Sequence, residues 1–315
     1  MSLGVTVDPT APEAGARILD AIRTGGVSLP GPGLSPSLVR VSPLGLGESY
    51  AAWLVTDGAA SVVIRLARRR PEDMACPMID EFRAGPLIPD GIGSRPLAMD
   101  DSADNPLGAP YLVSTFAPGV VREPSAWDPP LLRAHARRLA VLHQRRLALA
   151  GPVGGTGSRL DIVDEFDGAY SWWRSAHPEV AETPEAAALA RLIRPRLAAA
   201  APAFDGIDYA LIHGDLVATN VVVDPSGTPR YIDWEWARIG DVANDLALIG
   251  GRITGGPWYV PMDADTLDEF LREVRCRFGG KLIPRKEFVY ELFNNGGTPR
   301  AYAIIGQGTI SRIIE

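Results

Sequence analysis

The sequence predicts an α+β protein in two lobes, a small β-rich one followed by a larger, mainly helical one. Three observations predict it. Between residues 38 and 117 the apolar residues tend towards every second position, as in half-buried strands. Beyond the Pro118-Gly119 pair the spacing changes to that of amphipathic helices. Inside that helical half, one stretch, "LIHGDLVATNVVVDPSGTPRYIDWEWARIGDVANDLALI" (211–249), returns to strand-like runs around a turn. The organisation expected is therefore an N-terminal helix and loop (1–37), a β-rich lobe (38–117) and a helical lobe (118–315).

The elements follow in order. Residues 10–24 read as a short helix, with Thr10 as its cap, Pro12 in its first turn and Gly25-Gly26 as its stop. A Gly/Pro/Ser loop leads into three strands at 38–42, 49–55 and 61–67, the last two joined by an Asp57-Gly58 turn. Residues 71–88 read as an irregular helical piece, and 91–101 and 109–119 as two further strands. In the second half, Asp128 precedes Pro129-Pro130 and a helix with Leu132, Leu139 and Leu142 on one face. A helix from Thr183-Pro184 is expected to kink or end at Pro195. "GPVGGTGSR" (151–159) reads as a linker loop, and amphipathic helices are expected over 264–278 and 284–293.

Composition narrows the function. Of 315 residues, 46% are hydrophobic and 22% charged, an ordinary globular balance with material for sizeable cores. Acids outnumber bases, 38 to 31, which argues against a sequence-independent grip on nucleic acid. No apolar run approaches the ~18 residues of a membrane span, and no secretory signal opens the chain. Cys76 and Cys276 lie far apart without metal spacing, as free thiols in a reducing cytoplasm would.

The chemistry gathers around the hairpin "NVVVDPSGTPRYIDW" (220–234). A tight turn closing Pro225 on Thr228 would set Asn220 opposite Asp233; a bulge at Gly227 would slip the register by about one residue. Either way the two become cross-strand neighbours, roughly 5 Å apart at their side-chain roots for a direct pair. An amide and a carboxylate at that reach suit one Mg²⁺ ion, which takes oxygen ligands and holds phosphates. Zn²⁺ would want nitrogen or sulfur, and His213 is the only such donor nearby. Asp215 falls in the loop before Asn220, where a carboxylate can accept a proton from an attacking hydroxyl. A positioned base beside metal-held phosphates is what phosphoryl transfer needs.

"HGDLVATN", "IDWE" and "GDVANDLA" together resemble the aminoglycoside phosphotransferase / choline kinase-like family, a branch of the protein-kinase-like fold. The spacing from Asp215 to Asn220 also matches the protein-kinase catalytic loop. The resemblance implies Asp215 as catalytic base, Asn220 and Asp233 as Mg²⁺ ligands, and Asp245 as a buried brace for the catalytic loop. His213 is expected to pack beneath the site and bond backbone. "PLGLGESYAAWLV" resembles the family's glycine-containing loop, which puts Gly45, Gly47 and Ser49 near the nucleotide phosphates; Tyr50 stands where protein kinases carry a third glycine. "VVIRLA" aligns with the strand bearing the phosphate-binding lysine, here Arg65, and implies Glu81 as its partner, with Glu72 as the alternative. "YLVSTFAPG" resembles the segment whose backbone meets adenine, at Thr115 and Ala117. "LAVLHQ" (139–144) matches the first large helix of the second lobe.

The function expected is an ATP- or GTP-dependent kinase of a small-molecule alcohol. An aminoglycoside-like antibiotic, an amino alcohol and a macrolide are all candidates. Two acidic clusters, Asp161/Asp164/Glu165/Asp167 and Asp263/Asp265/Asp268/Glu269, with Tyr170, Trp172 and Trp173, would suit a cationic acceptor. As ordinary helix-terminal acids and core aromatics they would need no ligand. Arg65 in place of lysine keeps a second reading open, a nucleotide-binding pseudokinase with a regulatory role. A metal-dependent phosphoesterase would call for more His or Asp ligands than four histidines supply. No GxxxxGK[ST], no GxGxxG after a strand and no GxSxG occurs.

Overall fold

The structure is a computed structural model. It describes residues 8–248 except 32, 75 and 177, together with 257–263, 265–266 and 269–270. Most of the helix expected over 264–278, all of that over 284–293, and Asp268 and Cys276 lie outside the described residues. The chain divides into two compact units between Pro118 and Gly119. Among the described residues no helix is long and apolar enough to cross a membrane.

The first unit is a five-stranded antiparallel sheet of order β1-β2-β3-β5-β4. Its strands are β1 (Arg40–Leu46), β2 (Tyr50–Thr56), β3 (Ser61–Ala67), β4 (Pro96–Asp100) and β5 (Tyr111–Thr115). The Asp57-Gly58 turn forms as expected. Asp57 Oδ1 accepts from the N–H groups of Ala59 and Ala60 at 2.9 and 2.8 Å. Helix α1 (Pro12–Arg23) lays Ala14, Ile18, Ala21 and Ile22 against Trp53, Val55, Val62 and Ile64. These positions on β2 and β3 all lie on one face, because side chains alternate along a strand. Gly15 permits the approach, since a Cβ there would come within 2.6 Å of the Trp53 ring. Thr10 does not cap α1. Its N–H and Oγ1 both donate to Asp8 Oδ1, at 2.8 and 2.7 Å, and Ala11 takes the cap position ahead of Pro12, whose fixed φ starts the helix unaided.

On the opposite face of the sheet, α2 (Met78–Ala84) emerges from a 3₁₀ turn at Pro71–Asp73. It packs Met78 with Tyr50, Ala67 and Leu112 in a second, smaller cluster. The two faces are thus divided. One is sealed by α1 with apolar side chains, and the other carries Arg65 and Tyr50, both buried.

The second unit holds α3 (Pro129–Leu142), α4 (Ile162–Ala176), α5 (Pro178–Ala181), α6 (Pro184–Ala200) and α7 (Ala243–Leu248). Asp128 caps α3 by accepting from Leu131 N–H at 2.9 Å, and Leu132, Leu139 and Leu142 are buried as their spacing predicts. Helix α6 continues through Pro195 to Ala200. Pro195 is exposed, so water can satisfy the carbonyl that its missing N–H leaves behind. The 151–159 segment is more than a linker: Ala150 bridges Ser158, and Gly151 bridges Ile239.

Short strands organise the rest. β7 (Ala210–Ile212) pairs with β10 (Arg238–Gly240), and β6 (Val120–Val121), β8 (Val221–Val223) and β9 (Pro229–Tyr231) form a three-stranded sheet. The β8–β9 turn uses the bulged register. Gly227 N–H donates to Asp224 O at 2.9 Å, Gly227 has φ +80°, and Val221 faces Tyr231. Asp224 Oδ1 locks the turn by accepting from Ser226 Oγ, Ser226 N–H and Thr228 N–H at 2.6, 2.9 and 3.0 Å.

Candidate active site

Asp245 is fully buried at the start of α7, where Asp241 Oδ1 accepts from Ala243 N–H at 3.1 Å. Its carboxylate gathers three donors. Oδ2 accepts from His143 Nε2–H at 2.8 Å and from His213 N–H at 2.9 Å, and Oδ1 accepts from Gly214 N–H at 2.9 Å. Burial pushes this carboxyl up, but the hydrogen bond from His143, the two imidazoles and the Gly214 amide outweigh it and hold it below the usual range. The loop that follows β7 is therefore fixed by its backbone before it reaches Asp215.

His213 ties the segments carrying Asp215 and Asp233 together. It is buried, and its Nε2 lies 2.9 Å from the Ile232 carbonyl, which can only accept, so Nε2 carries the hydrogen. Its Nδ1 then accepts from the Asp215 N–H at 3.4 Å. The ring also packs on Trp234, centroid to centroid 4.6 Å. One imidazole thereby spans from the residue at Asp215 to the residue before Asp233.

Asn220 ends a single 3₁₀ turn, Ala218–Asn220. Its Nδ2 donates to Asp215 O at 2.8 Å and to Asp215 Oδ2 at 3.0 Å. The amide nitrogen is thus committed to Asp215, which leaves the amide oxygen as the atom a cation would use. In the bulged register Asn220 O accepts from Ile232 N–H at 3.0 Å, so Asp233 follows one residue after the paired position. Asp233 has φ +66°, the only positive φ of a non-glycine residue among those described. This left-handed backbone re-aims the side chain at the end of the strand. Such conformations cost free energy and persist where the surroundings impose them. Among the described residues no three His, Cys, Asp or Glu side chains gather as a metal-binding group. Mg²⁺ does not require three, since it keeps waters and takes phosphate oxygens beside one or two carboxylates. The donor set of Asn220 and Asp233 fits that ion.

In the first unit, Arg65 Nη2 donates to Glu81 Oε1, an ion pair with side-chain exposures of 10% and 3%. The guanidinium lies over the Tyr50 ring, 4.6 Å from its centroid. Gly47 N–H donates to Tyr50 O at 2.9 Å and closes the glycine loop, while a Cβ on Gly45 would meet open space. Ser49 is buried, and its carbonyl accepts from Arg68 N–H at 2.8 Å. Arg68 also reaches the Gly47 carbonyl, and Arg69 pairs with Glu48 at 2.7 Å. Thr115 N–H is used by Arg95 O at 2.9 Å. Adenine would therefore have to find its partners at neighbouring backbone, of which Ala117 carries no backbone hydrogen bond within the described residues.

The acidic clusters are largely engaged within the protein. Asp161 caps α4, accepting from Val163 N–H at 2.9 Å, and Asp167 pairs with Arg194 of α6 at 2.8 Å. Glu165 faces Arg238 at 3.7 Å, Asp263 Oδ1 accepts from Thr266 N–H at 2.8 Å, and Glu269 pairs with Arg133 at 2.7 Å. These are the contacts of helix-terminal and surface acids. His143 and the Tyr50 ring are the two contributors that the sequence did not reveal as such. Their partners are distant in the chain or on a neighbouring strand, and no local pattern marks them.

The profile of the phosphotransferase enzyme family matches residues 40–277. No curated protein matches the sequence. Among solved structures, the ternary complex of streptomycin and ATP with APH(2'')-IIa is 13% identical, covering 88% of this chain and 92% of that one, with a TM-score of 0.56. A choline kinase from Streptococcus pneumoniae is 15% identical over 85% of each chain, TM-score 0.56. An ethanolamine kinase from Plasmodium vivax is 12% identical, covering 89% of this chain and 82% of that one, TM-score 0.58. At such identities the likeness is one of fold, and the fold is the α+β, protein-kinase-like one that the sequence predicted.

Proposed function

This chain belongs to the phosphotransferase enzyme family, and from that premise we propose that it moves the terminal phosphate of ATP, or GTP, to a hydroxyl of a small molecule. The observation that carries the proposal is the Asn220–Asp215 contact. One amide nitrogen holds both the carbonyl and the carboxylate of Asp215, on a loop whose backbone is pinned by Asp245. A base held this way needs little reorganisation when the proton arrives.

In this reading the Asp215 carboxylate takes the proton of the acceptor hydroxyl as its oxygen bonds to the terminal phosphorus. The bond from that phosphorus to the bridging oxygen breaks, and the nucleoside diphosphate leaves. Mg²⁺, held by the Asn220 amide oxygen and the Asp233 carboxylate, would supply charge neutralisation on the phosphates. Arg65, oriented by Glu81, would supply a fixed cation for phosphate oxygens, and Gly45, Gly47 and Ser49 the loop above them. Ala117, and Thr115 through groups other than its N–H, would meet the base. Such a reaction runs where ATP and Mg²⁺ are abundant, which is the cytoplasm.

The acceptor we propose is a cationic alcohol, either an aminoglycoside-like antibiotic or an amino alcohol. The three structural relatives, a complex with streptomycin and kinases of choline and of ethanolamine, support this class. The test is phosphate transfer from Mg-ATP and Mg-GTP over a panel of amino alcohols, aminoglycosides, macrolides and sugars, read by mass spectrometry. A phosphorylated product formed by wild type and not by Asp215→Ala is expected. Nucleotide binding with no transfer and no hydrolysis would instead favour the pseudokinase reading. Hydrolysis of phosphate monoesters without nucleotide would favour a phosphoesterase.

A further inference from the structure

The resemblance implies a phosphate-binding lysine where Arg65 stands, and protein kinases carry a glycine where Tyr50 stands. The structure joins these two departures. Tyr50 lies on β2 and Arg65 on β3, with Arg65 opposite Ala52 and Tyr50 opposite Ala67. The two are diagonal neighbours on one face of the sheet, within reach of long side chains. The ring centroid is 4.6 Å from the guanidinium carbon. The ring is itself held, 4% exposed, among Ala67, Met78 and Leu112.

We propose that Tyr50 is a positioning residue for Arg65, and that the ring–guanidinium contact is what makes arginine competent to bind nucleotide phosphates here. The proposal rests on the kinase reading above. A guanidinium is planar, and its five N–H donors all lie in that plane. A cation over a ring face is attracted to it, and that attraction limits how far the guanidinium can swing. Glu81 adds a second restraint by accepting a bond from Nη2. Held by both the ring and Glu81, the guanidinium is placed before the nucleotide arrives, so less side-chain entropy is lost on binding. A lysine ammonium is a point donor with no plane to set, and a glycine at position 50 would leave an arginine free to swing.

The test is a ring series at position 50 of the full chain: Phe, difluorophenylalanine and pentafluorophenylalanine. The shape is kept while electron density is stripped from the ring face. Affinities for Mg-ATP and for adenosine are measured by calorimetry, with the melting temperature of each variant alongside. The expected result is a stepwise loss of ATP affinity, about three- to thirty-fold across the series, with adenosine affinity and melting temperature unchanged. A flat ATP series in a protein that binds ATP overturns the role of Tyr50 and leaves the kinase reading standing. An equal loss for adenosine also overturns it, because the ring would then act by packing. Wild type that binds no nucleotide overturns both.

Discussion

Asp245 and His143 form a hydrogen bond of 2.8 Å in which neither side chain is exposed to solvent. The two residues come from α7 and the end of α3, and the same carboxylate holds the backbone ahead of Asp215. Three donors converge on two oxygens, so the carboxylate cannot be replaced by a group that both donates and accepts.

Asp245→Asn should therefore destabilise the fold by about 2–4 kcal/mol. The amide can offer one oxygen, and at least one buried N–H is left facing another donor, a loss of about 1–3 kcal/mol before the charge is counted. Urea denaturation checks the figure. Circular dichroism of the variant at low temperature should remain native-like.

Stability should fall on acidification in two stages. His135 is fully buried, and burial pushes its pKa down to about 3 from a usual value near 6.5. The native ring stays neutral while the unfolded one takes a proton, so its contribution is complete above about pH 6.5 and declines as pH drops towards about 3. The slope is up to about 1.4 kcal/mol per pH unit. The depressed Asp245 carboxyl contributes above the ordinary carboxylate range near 3.9 and loses that contribution as pH falls through its own lower value. His135→Gln should flatten the stability slope between about pH 6 and pH 4 by close to one proton, measured by urea titrations at several pH values.

Asp233→Gly should separate folding from activity. Glycine accepts φ +66° without the Cβ conflict that an L-residue carries there, which offsets what the lost carboxylate contributes, so stability should change by no more than about 1 kcal/mol in either direction. Phosphate transfer, if Asp233 holds Mg²⁺, should disappear in the same variant. Thermal melting and the transfer assay on one preparation give both answers. EDTA should likewise abolish transfer by wild type, and added Mg²⁺ should restore it.

Gly15→Ala reverses the usual helix rule. In a solvent-facing helix the change would gain about 1 kcal/mol. Here the new Cβ would come within 2.6 Å of the Trp53 ring, which is buried and anchored by its Nε1–H donating to Pro9 O at 3.0 Å. A net loss of about 1–3 kcal/mol is expected, the cost typical of overpacking. The melting temperature reads it directly.

What the sequence made legible was local. The three strands from Arg40 to Ala67 show in β-branched runs and in the Asp57-Gly58 turn. Asp224-Pro225-Ser226-Gly227 marks its own turn, and the bulged register was one of two that those residues allowed. The rest depends on partners far along the chain. β6 is two valines whose strand character comes from β8, about a hundred residues later, so no periodicity could reveal it. Helix α6 does not end at Pro195, because that outcome depends on whether water reaches the freed carbonyl, a matter of exposure rather than sequence. Thr10 is a good cap by type but was already bound to Asp8. In the site, the resemblance named Asp245 as a brace, yet the donation from His143 and the placement of the Arg65 guanidinium over the Tyr50 ring are tertiary facts without a local signature.

The family profile begins at residue 40, whereas the cover over one face of the β-sheet is supplied by residues 12–23. Anyone trimming the gene to the recognised family boundary would strip Ile18 and Ile22 from Trp53, Val55 and Ile64, and would remove the carbonyl that anchors the indole. The shortened product would carry a greasy, uncovered sheet and clump during expression. Cloning boundaries for this protein should be drawn upstream of Pro9.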